Sequence, residues 1–373
     1  MRVIDLTTLS GAYASRLFAE YGHEVIRVEP PGGDEIRRLP PFLRDQHDLE
    51  HGAYHQFLNA GKKSVTADPA TSTGRKILLD LLDQADVIVV NDPLPLEEQL
   101  CLEANPQLVL TKIVDDAPEL CAVARSGLLS LTGHPDRAPV TLGAHVPLLA
   151  VGIYAAVATA AALFARKQSG RGLIATVSLR AALASFVEQA MVEYSFSGTI
   201  TERRGSRGAI TAVSGAMPCK DGHWVISQIH RPGRWLKFVD WVQDPELSAD
   251  PSLAEEENQH KRRDFIMERL DRWANRFTKT ELVEQAQQRH FPASPVSTPL
   301  DLIDDPQLLA RGFLAEMSHP EFGKINFPHG AIASVTGSRL SPAPKLGEHN
   351  EQILGELQQK SGISAALNAA SDS

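Results

Sequence analysis

Short strands rich in β-branched residues alternate with helical segments along the first half of the chain, and this alternation most constrains its fold. Glu24–Glu29 (EVIRVE) is a strand candidate, and Asp86–Val90 (DVIVV) is continuously apolar after its first residue, as is typical of a strand buried in a parallel sheet. Between them, Thr73–Gln84 places its isoleucine and leucines on one helix face. Repeated β-α-β units predict an α/β chain with a doubly wound parallel sheet, whose ligands bind beyond the carboxyl ends of the strands.

The pattern changes in the second half of the chain. Val151–Arg166 and Arg180–Tyr194 are predicted as long helices, and Gly198–Gly215 is a loop-like segment rich in glycine and arginine. A smaller unit of strand and helix patterns follows from Trp224 onward. With 373 residues, and about 100–200 residues per domain, the chain is expected to form two domains.

Charge and cysteine content exclude some classes of protein. The formal net charge is −9, so the chain lacks the basic character of a nucleic-acid-binding protein, and a polyanionic ligand would need a local basic pocket. The chain has 3 cysteines and no CxxC motif, which argues against a disulfide framework. We therefore expect a reducing, cytoplasmic location.

From Thr141 to Ala165 the chain has no formally charged residue, which raises the question of a membrane span. The run is mostly alanine, and His145 and Pro147 lie near its start, whereas a span requires about 20 strongly apolar residues. We therefore expect a buried helix in a soluble protein and no membrane association. The strand pattern at the amino terminus likewise predicts no signal peptide.

Motifs distributed along nearly the whole chain resemble those of the class III CoA-transferases, also called the CaiB/BaiF type. Relatives in this family include formyl-CoA transferase, carnitine CoA-transferase and α-methylacyl-CoA racemase. Each motif alone is weak, but their order and spacing together are specific. In chain order the motifs are VIDLT (3–7), AEYGHEVIRVEPPGGD (19–34), NAGKKSV (59–65), ADV (85–87), SGLLSLTG (126–133), SGRG (169–172), VSL (177–179), DGHW (221–224), DPQ (305–307), RGF (311–313) and LGEH (346–349).

The resemblance implies a fold and a ligand. It implies a large Rossmann-like domain formed by residues 1–197 and 325–373, with a smaller α+β domain, residues 198–324, inserted between. Two chains of this family interlock, so an interlocked dimer is expected. Coenzyme A or an acyl-CoA is expected as substrate, with no tightly bound cofactor.

The resemblance also implies where CoA binds. In the family, the turn between the first strand and the first helix meets the nucleotide part of CoA; here that turn is Leu9-Ser10-Gly11. Local cations and backbone N–H groups are what CoA phosphates require. Lys62 or Lys63, in a family motif, is a candidate phosphate contact, with a solvated pair as the alternative.

Three further positions belong to this expected CoA site. Arg37 and Arg38 stand where the family has an arginine near the CoA mouth, again with a solvated pair as the alternative. Asn91 matches a family asparagine, but Asp92 follows it, and an aspartate disfavours a phosphate. His51, His55 and His145 lack a clear ligand pattern, so no metal site is expected.

The expected catalytic acid is missing. The family's nucleophilic aspartate precedes a helix glycine by four residues in a D-x-x-x-G arrangement, and Gly152 as that glycine places Leu148 at the nucleophile position. A carboxylate nucleophile divides acyl exchange into covalent steps, and a leucine cannot replace it. The racemase branch uses the same aspartate with a histidine, whose place falls near Pro118, so that pair is also missing.

Three hypotheses remain. The chain is a transferase subunit that lacks the acid and pairs with an acid-bearing paralogue, or it carries out a different acyl-CoA chemistry of the isomerase, dehydratase or lyase type with another residue. A homodimer and a hetero-oligomer with such a paralogue both remain open. The third hypothesis is a non-catalytic acyl-CoA-binding protein. For the second hypothesis the nearest carboxylates in sequence, each also readable as a loop or capping residue, are Asp115, Asp116, Glu119 and Asp136.

Overall fold

The structure is a computed structural model that describes residues 1–114, 117–206, 213–227, 229, 232–329 and 340–359. Asp115 and Asp116 therefore lie outside the described residues. Strands are β1 Arg2–Leu6, β2 Glu24–Glu29, β3 Lys63–Thr66, β4 Val87–Asn91, β5 Val109–Val114, β6 Ile174–Ser178, β7 Gly215–Cys219, β8 Gly222–Ile226, β9 Ala293–Pro295, β10 Leu314–His319 and β11 Gly323–Pro328. Helices are α1 Leu9–Glu20, α2 Ala53–Asn59, α3 Ser72–Asp83, α4 Glu98–Ala104, α5 Glu119–Arg125, α6 Leu128–Leu131, α7 Val146–Ser169, α8 Leu179–Ala184, α9 Glu188–Ser197, α10 Pro232–Val242, α11 Pro245–Ser248, α12 Glu256–Lys261, α13 Arg263–Ala274, α14 Lys279–Gln288, α15 Pro299–Ile303 and α16 Pro306–Ala310.

A parallel sheet of the order β3-β2-β1-β4-β5-β6 organises the larger part of the chain. This is the order of a doubly wound nucleotide-binding fold, in which the crevice opens where the strand order reverses, between β1 and β4. The apolar β4 lies in the middle of the sheet and is buried throughout, as its sequence predicts. The α/β class with a parallel sheet is confirmed.

Two details of the second half differ from the sequence pattern. The edge strand β6 was not predicted, because its sequence, IATVS, is half polar and it lies exposed at the sheet edge. The predicted helix Arg180–Tyr194 is divided into α8 and α9 by a 3-10 turn at Ser185–Val187. There the Ser185 hydroxyl donates to the Ala182 carbonyl at 2.7 Å, a local bond of the kind that competes with regular helix.

Contacts divide the described residues into two compact units. The larger unit contains residues 1–128, 142–192 and those from 306 onward, and the smaller unit contains 129–141 and 193–305. The predicted boundary at 325 differs from this division, because the β10–β11 hairpin contacts the larger unit. Arg16 donates to the Pro328 carbonyl at 2.8 Å, and His51 pairs with Glu321 at 3.1 Å.

The carboxyl-terminal segment also packs on the larger unit. Residues 350–359 are helical, and Ile353 and Leu357 belong to the apolar core formed by α3, α4 and one face of the sheet. Asn350 accepts a hydrogen bond from the Thr66 backbone N–H at 2.8 Å, so this segment is tied to β3.

The smaller unit has its own core, centred on aromatic side chains. Trp224, Trp241 and Trp273 pack with their ring centroids 4.9 to 6.2 Å apart, and Phe238 lies against two of them. The antiparallel strands β7, β8 and β9 and the helices α10, α13 and α14 supply this core. The unit is therefore α+β, as expected.

Helix α7 has 24 residues, and only one of its sides contacts the rest of the larger unit. Its inner side, with Val151, Ala155 and Thr159, packs against α1, β5 and β6, whereas Val157 and Phe164 on its outer side are exposed. In the described part of the chain it is the one helix whose length and mean hydropathy would suffice to cross a membrane. Of the most apolar 18-residue stretch of this helix, 28% is buried. The expectation of a buried helix is wrong for the single chain, since only one side of the helix meets the sheet and α1.

Candidate functional site

Leu9, Ser10 and Gly11, predicted as a turn between β1 and α1, instead form the first turn of α1, because the helix already begins after Thr8. They lie at the carboxyl end of β1, beside the end of β4, and we refer to residues 7–11 as the β1–α1 turn. Asn91 joins the two: its side-chain oxygen accepts from the Thr8 backbone N–H at 2.8 Å, and its amide donates to the Ser10 hydroxyl at 2.6 Å. A Cβ atom on Gly11 would lie 2.5 Å from the Thr7 methyl group, so only glycine fits at this close approach. The structure thus brings together four of the predicted CoA-site residues, namely Leu9, Ser10, Gly11 and Asn91.

Lys62 belongs to a buried ionic cluster, which we define as Asp5, Arg27, Glu29, Arg37 and Lys62. The Lys62 ammonium donates to Asp5 at 2.8 Å, to the Ser15 hydroxyl at 2.8 Å and to the Asn59 side-chain oxygen at 3.0 Å. Its side chain is 0% exposed, and the Ala12 carbonyl is a further acceptor at 3.0 Å, so all three of its N–H groups have partners within the protein. The ammonium therefore holds the base of α1 to β1.

Burial and charge act in opposite directions inside this cluster. Burial lowers the pKa of Lys62 to about 8, although the Asp5 carboxylate favours its charged form. Burial by itself would raise the pKa of Asp5, but Lys62 and Arg27 hold it well below its usual range. The pair therefore consists of mutually dependent charges, as is usual for ion pairs removed from water.

Arg37 forms the second half of the buried ionic cluster. It donates to both oxygens of Glu29, at 2.6 and 2.8 Å, and to Glu50 at 2.7 Å. It also donates to Nε2 of His55 at 3.1 Å, which requires that nitrogen to be unprotonated, and burial together with the Arg37 charge lowers the pKa of His55 to about 3. The Arg37 guanidinium thus links β2, α2 and the Pro344 carbonyl.

The other two predicted cations lie at the surface. Arg38 is exposed, and its guanidinium closes the loop after β2 by donating to the carbonyls of Gly32, Gly33 and Asp34. Lys63 is 31% exposed and pairs with Glu24 at 2.8 Å. Arg38 follows the carboxyl end of β2, whereas Lys63 begins β3 and meets Glu24, the first residue of β2, at the opposite edge of the parallel sheet. Of these two surface cations, Arg38 is therefore the one on the side of the sheet where the predicted CoA turn lies.

Leu148 lies in the first turn of α7, within an apolar cluster formed by Leu9, Ile36, Leu58 and their neighbours. One turn further along, Gly152 allows α7 to approach α1: a Cβ there would lie 3.0 Å from Tyr13 Cβ and 3.1 Å from the Ser10 carbonyl oxygen. The position that the resemblance assigns to the nucleophile is therefore beside the predicted CoA turn. It is occupied by a hydrocarbon side chain in apolar surroundings.

A histidine–carboxylate pair stands at the same end of α7. His145 caps the helix with a left-handed backbone (φ 52°), and its Nδ1 lies 2.5 Å from the carboxylate of Glu119, the first residue of α5. The Tyr54 ring meets the imidazole edge-on, with centroids 5.2 Å apart. We refer to Glu119 and His145 as the α7 pair; sequence reasoning did not join them, because 26 positions separate the two residues.

The remaining candidates are dispersed. His51 pairs with Glu321, His55 lies in the Arg37 network, and Asp136 is exposed beside His134. Within the described ranges, no group of three or more metal-binding side chains comes together. Asp92, which was expected to disfavour a phosphate next to Asn91, lies 3.8 Å from the Lys112 ammonium.

Comparison with known proteins places this chain in a family. The model of CoA-transferase family III matches residues 1–350. The chain belongs to CoA-transferase family III. Its six-stranded parallel sheet and its motifs thus fit a family whose members transfer CoA between acyl-CoAs and acids, and the recognition from sequence is confirmed.

Individual members of CoA-transferase family III align along nearly their whole length. The succinyl-CoA:mesaconate CoA-transferase of Haloarcula marismortui is 28% identical over 97% of this chain and 96% of its own. A succinyl-CoA:(R)-benzylsuccinate CoA-transferase subunit of Thauera aromatica is 28% identical over 95% of this chain and 93% of its own. The crystal structure of a CaiB/BaiF family protein from Brucella suis has a TM-score of 0.86 at 26% identity, and the match covers 96% of this chain and 98% of that one.

Proposed function

We propose that this chain binds an acyl-CoA and takes part in CoA transfer as the subunit of a hetero-oligomer that does not carry the nucleophilic aspartate. The observation that carries the proposal is Leu148 at the start of α7, packed in an apolar cluster beside the β1–α1 turn. A leucine cannot form an acyl-enzyme bond, so the covalent step has to take place on another chain. The Thauera aromatica relative, which is named as a subunit, is consistent with such an arrangement.

The CoA site of this proposal consists of the β1–α1 turn with Asn91, and of Arg38 at the surface beyond the carboxyl end of β2. Arg37 and Lys62 stabilise the protein beneath this site and do not bind the ligand, because they are paired with the buried carboxylates of Glu29 and Asp5. The uncovered apolar side of α7 supports a partner chain, and we propose that the two chains interlock as the family resemblance implies.

Co-expression with an acid-bearing homologue tests the proposal. We expect a stable hetero-oligomer that transfers CoA, and hydroxylamine should trap the acyl group on the homologue and not on this chain, as read by mass spectrometry of each subunit. CoA transfer to an acceptor acid by a purified homo-oligomer of this chain, or acyl trapping on this chain, would overturn the proposal. CoA binding without turnover in any pairing would identify a binding protein instead.

Two substitutions form a matched pair for the same experiment. Leu148→Asp places a carboxylate at the nucleophile position, whereas Leu149→Asp places one in the same apolar cluster at the neighbouring position. Both variants should be less stable than the wild type, because each places a carboxylate in apolar surroundings. We expect acyl trapping on this chain with Leu148→Asp only; equal behaviour of the two variants would show that position 148 is not equivalent to the family nucleophile.

A further inference from the structure

The α7 pair has the geometry of a general base and its orienting group. A carboxylate only accepts hydrogen bonds, so the contact between Glu119 and Nδ1 of His145 requires the proton to be on Nδ1. In the neutral imidazole the other ring nitrogen, Nε2, then carries a lone pair and can accept a proton. An imidazole that a carboxylate holds in this way recurs in enzymes that activate hydroxyl groups or water.

The pair stands where the reaction would occur. His145 is the residue before α7, three positions before Leu148, and Leu148 shares its apolar cluster with Leu9 of the predicted CoA turn. The Tyr54 ring, which also packs against this cluster, supports the imidazole. The amino-terminal end of the 24-residue α7 is adjacent and favours negative charge on a nearby oxygen.

The acyl group of a thioester can be transferred to a carboxylic acid or to water, and these two acceptors differ in their chemistry. A carboxylic acid is already ionised at neutral pH and needs no base to attack a thioester, whereas water is a poor nucleophile until a base removes its proton. This site has lost the carboxylate nucleophile and holds a base in its neighbourhood. His145 and Glu119 are 34% and 23% exposed, so water reaches the pair.

We propose that the α7 pair makes this chain an acyl-CoA hydrolase, with water as the acceptor. Nε2 of His145 takes a proton from water while the water oxygen bonds to the thioester carbonyl carbon, whose π electrons move to its own oxygen. When the C=O bond re-forms, the C–S bond breaks and the CoA sulfur takes the proton from the imidazolium. One acyl-CoA and one water thus give one carboxylic acid and one CoA thiol.

This inference rests on the acyl-CoA binding proposed above, and it goes beyond it because the reaction requires neither a paralogue nor an acceptor acid. The test uses the full chain with acetyl-CoA, succinyl-CoA and benzoyl-CoA in a buffer free of carboxylic acids. Thiol release is measured against a protein-free blank, and ¹⁸O from labelled water is measured in the acid. We expect CoA release, with one ¹⁸O per acid formed.

Variants assign the reaction to the pair. His145→Gln should slow release by roughly 10²-fold or more, and Glu119→Gln by a smaller factor, since the loss of a general base costs roughly 10²–10⁴-fold. His260→Gln removes another histidine paired with a carboxylate, Glu256 on α12, and should leave the rate unchanged. Calorimetry with CoA, together with circular dichroism, shows whether each variant still folds and binds.

The outcomes separate the two proposals. Intact CoA binding without release above the blank, or release that His145→Gln does not slow, overturns the hydrolase and leaves the acyl-CoA-binding function standing. Deuterium incorporation next to the thioester in D₂O without CoA release also overturns it, since the base would then act on a carbon acid. If calorimetry detects no CoA binding by the wild-type chain, the proposed acyl-CoA-binding function is itself overturned.

Discussion

The buried ionic cluster lies beside α1, and the α7 pair lies at the start of α7. Both contain residues that the sequence analysis names as candidates for CoA binding or catalysis. In the cluster, the charges of Lys62 and Arg37 are paired with carboxylates and shielded from solvent. In the α7 pair, a histidine and a glutamate face each other but remain partly exposed. The contrast teaches that a charged residue type indicates a ligand only when tertiary neighbours leave one of its groups available.

The first prediction addresses the stabilising role of the cluster. Lys62→Met should lower the free energy of unfolding by about 3–5 kcal/mol, because the buried Asp5 would lose one of its two cationic partners and keep only Arg27. Lys63→Met is the matched control: its pair with Glu24 is partly solvent-exposed and should contribute only about 0–1 kcal/mol. Denaturant unfolding measures both changes, and equal losses would contradict the contrast between the two neighbouring lysines.

The second prediction concerns pH. The pKa of His55 is about 3 in the folded chain, so below its ordinary value of 6.5 the unfolded chain binds more protons than the folded one, and stability falls as pH falls. Between pH 6.5 and pH 5, His55 alone should remove about 2 kcal/mol, at about 1.4 kcal/mol per unit.

His55→Gln supplies the control for this pH dependence. A glutamine can still accept the hydrogen bond from Arg37 but does not titrate. Unfolding curves recorded at pH 6.5 and pH 5 should therefore differ less for His55→Gln than for the wild type. An equally large loss of stability in the variant would show that His55 does not report on the buried network.

The third prediction has the smallest expected effect and concerns the surface cations. Arg38→Gln should weaken CoA binding by roughly fivefold, or about 1 kcal/mol, because it removes one exposed donor for a phosphate. Lys76→Gln, an exposed lysine on α3, is the control and should leave CoA affinity unchanged. Calorimetry measures both; an unchanged affinity in Arg38→Gln would assign Arg38 to the loop carbonyls alone.

Sequence patterns predicted the elements whose residues decide their structure locally. The strand Asp86–Val90 corresponds to β4 because continuous apolar residues can be buried on both faces only in the middle of a sheet. The half-polar β6 and the break between α8 and α9 were missed, since an edge strand carries little hydrophobic signal and a single serine decides the break. One-sided burial of α7 also escaped prediction, because an alanine-rich helix looks alike whether one side or both sides are covered.

By itself the sequence determined the family, the parallel sheet and the absence of an acid at position 148, since each follows from residue identity and order along the chain. The tertiary structure alone decided which polar groups are available. Lys62 lies 57 positions from Asp5 in the sequence, and its charge is paired with that buried carboxylate. Glu119 lies 26 positions from His145 and orients its imidazole. The physical reason is that solvation and pairing depend on neighbours in space, and neither adjacency nor composition along the chain specifies those neighbours.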